Sequence, residues 1–212
     1  MTVIAVDGPA AAGKGTLSRR LATHLNFAHL DTGALYRAVG LSLLDRGLDP
    51  NDSAAAETAA RHLDLGLLDD VRIREEATGA AASKVAAMPG VRAALLDLQR
   101  SFASTPPGGA KGAVLDGRDI GTVVCPDADV KIFVTASPET RARRRWLELK
   151  ERGDAPDFED VLAEMQARDA RDSNRSHAPL VAADDAHLLD TSNSDIETVF
   201  QTALALVEKG IA

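Results

Sequence analysis

Residues 8 to 16 read Gly-Pro-Ala-Ala-Ala-Gly-Lys-Gly-Thr, a glycine-rich turn with one lysine and one hydroxyl. Those residue types at that spacing suit a polyphosphate. The apolar run Val3-Ile4-Ala5-Val6 leads into the turn through Asp7, and a helical pattern follows it. Strand, turn and helix N-terminus together aim backbone N–H groups and the positive end of a helix dipole at one point. Gly8 and Gly13 carry no Cβ, so the backbone can curl and come close to a ligand. Lys14 stands where its ammonium reaches the outer phosphates of a nucleoside triphosphate. The expectation is a nucleotide-binding loop made of Gly8, Pro9, Ala10, Ala11, Ala12, Gly13, Lys14, Gly15 and Thr16.

Gly15 follows the lysine where Ser or Thr is usual, and the hydroxyl comes one place later, at Thr16. On a helix that shift turns the hydroxyl about 100° around the axis. That makes direct Mg²⁺ ligation by Thr16 less secure than in switch GTPases, and Thr16 stands as a metal candidate that can also act through water. The Gly-Lys-Gly-Thr form resembles that of nucleoside monophosphate kinases. A second apolar run, Val114-Leu115, ends in Asp116-Gly117-Arg118-Asp119. An acidic residue at such a strand end, opposite the loop lysine, is placed to hold Mg²⁺ or one of its waters, so Asp116 is the second metal candidate. Arg118 follows at once and can face a phosphate in the same crevice.

A third cluster is basic. Arg168, Arg171, Asp172 and Arg175 are spaced by three, four and seven, within an arc of about 100° on one helix face. An Arg168–Asp172 pair is ordinary i,i+4 chemistry. Three arginines on one stripe repel each other unless anions lie between them. Arg141, Arg143, Arg144 and Arg145 stand on the preceding helical segment. The two segments together are expected to form a mobile basic lid, about residues 141–180, that closes over transferring phosphates and excludes water.

The elements that must position these groups alternate strand and helix, the pattern of an α/β fold with a mostly parallel sheet. Strands are expected at Thr2–Asp7, Phe27–Leu30, Ala113–Asp116, Val130–Thr135 and His187–Asp190. Helices are expected near 14–25, 33–46, 54–64, 79–87, 91–104, 139–152, 158–175 and 195–209. Ser137-Pro138 supplies an N-cap and a first-turn proline. Asp157 opens the next helix, and Ser194 with Glu197 reads as a capping box for the last. The chain has 212 residues and a formal net charge of −8, which suits one core and argues against a protein that coats nucleic acid. Of its 24 basic residues, 18 are arginine, the residue suited to bidentate phosphate contacts. A single Cys125 leaves no internal disulfide and is compatible with a reducing cytosol. Neither a signal peptide nor a membrane-spanning run is legible, so a cytoplasmic chain is expected.

Four blocks then resemble bacterial cytidylate kinases in family order: the loop at 8–16; Leu30-Asp31-Thr32-Gly33-Ala34-Leu35-Tyr36-Arg37; Asp116-Gly117-Arg118-Asp119-Ile120-Gly121-Thr122-Val123-Val124; and Arg168-Asp169-Ala170-Arg171-Asp172-Ser173-Asn174-Arg175 with Ala178-Pro179-Leu180. The resemblance implies a P-loop three-layer α/β fold, a five-stranded parallel sheet with helices on both faces, in one nucleoside monophosphate kinase domain. Within it lie a small acceptor-binding segment, about 54–104, and a helical lid. It implies phosphoryl transfer from ATP to CMP or dCMP with Mg²⁺, no nucleic-acid or membrane partner, and a monomer. Carried over by position, it gives Thr32 and Arg37 to the acceptor nucleotide, with Arg37 on its phosphate and Thr32-Gly33 capping the helix. By the same resemblance, Ser83, Arg92 and Asp119 look like the residues that read cytosine. Arg118 and Arg175 resemble the family's phosphate clamps, Arg168 and Asp172 its ribose contacts, and Arg144 the arginine beside the ATP adenine. Lys14, Arg118, Arg171 and Arg175 are the groups implied to act in transfer.

One stretch departs from the commoner family pattern. Asp64 to Gly79 supplies sixteen residues where a longer insert is common, enough for one short hairpin around Leu67–Arg74. Another small-acceptor kinase, such as an adenylate or shikimate kinase, and a non-catalytic nucleotide-binding switch stand as alternatives. No Asn-Lys-x-Asp guanine signature supports the switch, and a DNA-associated ATPase would need a broader basic surface.

Overall fold

The apolar runs pair into a sheet that presents the phosphate loop at one strand end. The computed structural model describes residues 1–211. Its strands are β1 (Thr2–Asp7), β2 (Ala28–Asp31), β3 (Gly112–Gly117), β4 (Val130–Thr135) and β5 (His187–Asp190). Their order across the sheet is β2-β3-β1-β4-β5. β1 is central and pairs in parallel with β3 and β4, with Val6 opposite both Asp116 and Ile132. β4 pairs in parallel with β5. The carboxyl ends of β1 and β3 therefore lie side by side, which puts the Gly8 turn next to Gly117 and Arg118.

The helices are α1 (Lys14–Leu25), α2 (Thr32–Asp45), α3 (Ser53–Arg61), α4 (Glu76–Val85), α5 (Pro89–Ser104), α6 (Pro138–Glu151), α7 (Phe158–Ser173) and α8 (Ile196–Ile211). One face of the sheet is sealed by α1 and α8, with Leu17, Leu21, Phe200, Leu204 and Val207 packed on Ile4, Val6, Ile132 and Val134. The alternate residues Ala5, Ala113 and Leu115 face the other way and are fully buried too. Burial on both faces explains why these strands read as continuous apolar runs rather than alternating ones. The edge strand β5 buries only Leu189.

Two compact units result, Met1–His29 with Thr105–Ala212, and Leu30–Ser104. In the smaller unit α2 packs along α4, and α3 along α5. This unit takes in α2 as well as the expected acceptor segment. Asp64 to Gly79 forms no hairpin: it makes two 3-10 turns, Leu65–Asp69 and Val71–Arg74, before α4 begins. Local side chains decide that. The carboxylates of Asp64 and Asp70 accept from the N–H groups two residues on, Gly66 and Arg72, and start each turn.

The caps show where local chemistry is legible and where it is not. Ser137 Oγ accepts from Thr140 N, with Pro138 in the first turn. α2 is capped by the Asp31 carboxylate, which accepts from Ala34 N, so Thr32 is its first helical residue rather than its cap. The last helix is opened by Asp195, which accepts from Thr198 N, in place of a Ser194–Glu197 box. Asp157 occupies the cap position of α7 without a side-chain cap bond.

Candidate active site

The phosphate loop is held open by its backbone. Gly8 has φ 149°, and a Cβ there would sit 2.0 Å from the Val134 carbonyl oxygen, so no other residue fits this crossing of β4. Ala11 and Gly13 also adopt positive φ, 55° and 92°. Gly13 is the N-cap of α1 and makes no side-chain cap bond. The first-turn N–H groups are thus presented to a ligand rather than satisfied by a neighbouring side chain. Lys14 Nζ lies 3.5 Å from the Pro9 carbonyl, folded over the loop. Thr16 is exposed in the first turn of α1.

Asp7 has a structural task that its position before the loop does not advertise. Its two carboxylate oxygens accept from Ile120 N (2.8 Å) and Gly121 N (2.7 Å). They pin the turn that follows Arg118-Asp119, a π-helical turn at Ile120–Val124. Burial pushes Asp7 up to about 6; its two backbone N–H bonds and Lys14 oppose this, and Asp119 adds to it. Asp116 is buried and bonded to His29 Nε2 at 2.7 Å. In the sequence His29 is only one of five scattered histidines. β2 places it beside the end of β3, which no local spacing reveals.

The basic stripe of α7 divides on folding. Asp172 is 1% exposed. One of its oxygens accepts from Arg118 Nε at 3.0 Å, and the other bonds Arg175 Nη2. Burial pushes the Asp172 carboxyl up, but the charges of Arg118, Arg175 and Arg168 outweigh it and hold it below the usual range. Asp172 thus gathers three of the predicted arginines. Arg171 is exposed. Arg175 lies past the end of α7, which stops at Ser173.

The hairpin of α6 and α7 is less of a free flap than the count of charges suggests. Ala142, Leu149, Val161 and Met165 form a core of their own, and Ala10 and Ala11 of the phosphate loop pack against it. Arg141 is buried, Arg143 exposed, and Arg145 pairs with Glu148. Arg144 turns inward: Nη1 donates to Thr191 Oγ1 (2.9 Å) and Nη2 to the Thr191 carbonyl (2.6 Å). Burial lowers its basicity. It lines a cavity of about 250 Å³ with Gly13, Thr16, Leu17, Ile196 and Phe200, an apolar slot beside the loop that suits a flat base. Sequence reasoning misses Thr191 and the α8 residues of this slot, because they come from distant chain.

In the smaller unit the predicted acceptor residues form a second constellation. Arg37 Nη1 donates to the Ile73 carbonyl (3.1 Å), and α4 passes close by at Gly79. Arg92 donates to the Ala86 carbonyl (3.2 Å) and stands 5.4 Å over the Tyr36 ring. Thr32 is buried on α2. Ser83 Oγ is buried and has no hydrogen-bond partner among the described residues. A buried hydroxyl of that kind costs stability unless a ligand meets it. Asp119, in the larger unit, is 4% exposed.

A family model described as cytidylate kinase matches residues 4–209. The chain belongs to the cytidylate kinase family. A cytidylate kinase from Paramagnetospirillum magneticum is 61% identical over 206 residues, 97% of each chain. One from Azorhizobium caulinodans is 61% identical over 208 residues, 98% of each. An uncharacterized protein from Eubacterium ventriosum has a solved structure that matches with a TM-score of 0.55 at 13% identity, over 98% of this chain and 99% of that one. That likeness is one of fold.

Proposed function

We propose that this chain transfers the γ-phosphoryl group of ATP to CMP or dCMP, giving ADP and the cytidine diphosphate. A phosphate oxygen of the acceptor attacks the γ-phosphorus as the bond to the β,γ-bridging oxygen breaks. No covalent intermediate and no dedicated base are needed, because positioning and charge neutralisation carry this chemistry. One observation supports the reading above others. In the unit that holds the phosphate loop, Asp172 organises Arg118 and Arg175 into a preset pair of guanidiniums.

The roles we assign rest on the motif blocks the chain shares with the family, supported by the loop and the slot beside it. The loop Gly8–Thr16 holds the β- and γ-phosphates, with Lys14 following the charge as it moves. Arg144 and the apolar slot take the adenine. Arg37 meets the acceptor phosphate, Arg168 and Asp172 its ribose, and Arg118, Arg171 and Arg175 the transferring group. Cytosine offers an amino donor at position 4 and a ring acceptor at position 3. A carboxylate such as that of Asp119 supplies an acceptor and Arg92 only donates, the two chemistries that match cytosine and oppose uracil. Ser83 Oγ gains its partner from the base.

Mg²⁺ fits the donors present. The Thr16 hydroxyl and the Asp116 carboxylate are hard oxygens, directly or through water, and His29 holds Asp116 in place. Bound with ATP, the ion would neutralise phosphate charge. No helix among the described residues is long and apolar enough to cross a membrane. We place the enzyme in the cytoplasm as a monomer without a nucleic-acid partner.

The test is ADP release from purified protein with Mg·ATP and a panel of nucleoside monophosphates. CMP and dCMP should exceed UMP by at least tenfold in kcat/KM, the order expected from one or two unmatched buried polar contacts. Equal use of UMP and CMP would overturn the base assignment. Strong activity with AMP or shikimate alone would move the chain to another small-acceptor kinase, and no transfer to any acceptor would leave a nucleotide-binding switch.

A further inference from the structure

The α6–α7 hairpin is tied to the phosphate loop through one guanidinium. Arg141 is 4% exposed, and each of its three nitrogens serves a different segment. Nε donates to the Ala136 carbonyl after β4 (2.9 Å), Nη1 to the Ala10 carbonyl in the loop (3.4 Å), and Nη2 pairs with Asp169 Oδ2 on α7 (2.7 Å). The contact to the loop is through a carbonyl, the polar group a phosphate repels, so Arg141 does not share the ligand's N–H cradle. Asp169 follows Arg168 directly and precedes Arg171 by two residues and Asp172 by three. The apolar contact runs parallel to the polar one, with Ala10 and Ala11 against the hairpin core. Only a planar fork meets three acceptors in three directions, and a lysine ammonium would lose that geometry.

We propose that Arg141, acting through Asp169, is a positioning residue that sets the α7 arginines in register with the phosphate loop. Filling the loop with ATP then biases the placement of Arg168, Arg171 and Arg175. A phosphate that draws the loop backbone toward it shifts the Ala10 carbonyl. Arg141 transmits that shift to the segment of α7 that carries the arginines. The proposal rests on the reading of Arg171 and Arg175 as transfer residues and of Arg168 as a ribose contact.

The experiment compares wild type with Asp169→Asn, Arg141→Lys and the double variant, each with kcat, KM for ATP and CMP, and melting temperature. Asp169→Asn keeps size and shape at a side chain 23% exposed, so it folds where a change at Arg141 fails to, and then decides alone. The single Trp146 on α6, packed edge-on to Phe158, reports the hairpin by its emission during ATP titration. Each single variant should lose about tenfold in kcat with both KM values within about threefold. The double variant should fall no further than the worse single, because both break one link. The ATP-dependent change in Trp146 emission should shrink in the same variants. Near-normal kcat in Asp169→Asn, losses that multiply in the double variant, kcat losses that only follow melting temperature, or wild-type emission indifferent to ATP would each overturn the proposal. Arg171→Ala runs alongside. If it leaves kcat intact, the transfer reading of α7 fails and takes the coupling with it. If it lowers kcat while Asp169→Asn does not, only the coupling fails.

Discussion

Lys14 is the residue whose loss should be read most cleanly. Its ammonium lies over the loop and is half-buried, so removing it opens no cavity in the core. Lys14→Ala should remain folded and lose at least about two orders of magnitude in kcat, from a charge contact that strengthens as the γ-phosphoryl departs. Circular dichroism with single-turnover kinetics checks both halves, and near-normal turnover would remove the loop from the mechanism. Asp7 makes a different prediction. Its folded pKa of about 6 lies above the ordinary 3.8, so the native state holds this proton more tightly than the unfolded chain does. Its contribution to stability is therefore full below about pH 4, falls as pH rises to about 6, and is flat above. The loss across that window is roughly 2–3 kcal/mol. The melting temperature of wild type relative to Asp7→Asn should decline across pH 4–6 by several degrees. A difference independent of pH would show that Asp7 does not titrate there.

At the scale of elements, α7 and the turn after it hold two kinds of arginine that the sequence stripe does not distinguish. Arg171 is exposed, whereas Arg175 and Arg118 grip a carboxylate removed from water. Arg171→Ala should lower kcat with the melting temperature within about a degree, since an exposed side chain contributes little to stability. Arg175→Ala should lower kcat and also cost about 1–3 kcal/mol, because Asp172 keeps only part of its compensation. Thermal melts set beside kcat for the two variants decide this. Equal stability of both would mean that Asp172 is satisfied without Arg175. The trimmed segment after α3, expected as a hairpin, folds as paired 3-10 turns. Asp64 and Asp70 bond forward to N–H groups two residues on, and so close tight turns before a strand ladder can form.

For the whole molecule, ligand binding and stability are linked. ATP that binds the native state alone should stabilise it by about 2.7 kcal/mol at a hundred times its Kd, a rise of roughly 5–10 °C in melting temperature for a chain of this size. Lys14→Ala should show less of this rise, and Asp169→Asn nearly all of it. A calorimetric ATP series on the three proteins measures it, and an ATP effect lost in Asp169→Asn would mean that the α6–α7 link governs binding rather than transfer.

The sequence by itself determined what is local. Three strands, β1, β4 and β5, and the helix α1 fall at the residues where the strand runs, Gly8 and Gly13 place them, because a short strand run and a phosphate turn are written in consecutive residues. The four motif blocks carried the family for the same reason. What only the tertiary structure decided lies in pairings between distant segments. His29 meets Asp116 across β2 and β3, Asp7 pins the backbone at Ile120 and Gly121, and Thr191 holds Arg144. The helix face spanning Arg168 to Arg175 predicts one basic stripe. Folding splits it, since Asp172 draws in Arg118 from 54 residues away. In sequence Arg141 is one more charge of a basic lid, and in the fold it is a buried three-way tie. Periodicity reports which side chains share a helix face, but whether a guanidinium on that face meets water or a carbonyl depends on the segment packed against it, and that segment is remote in sequence.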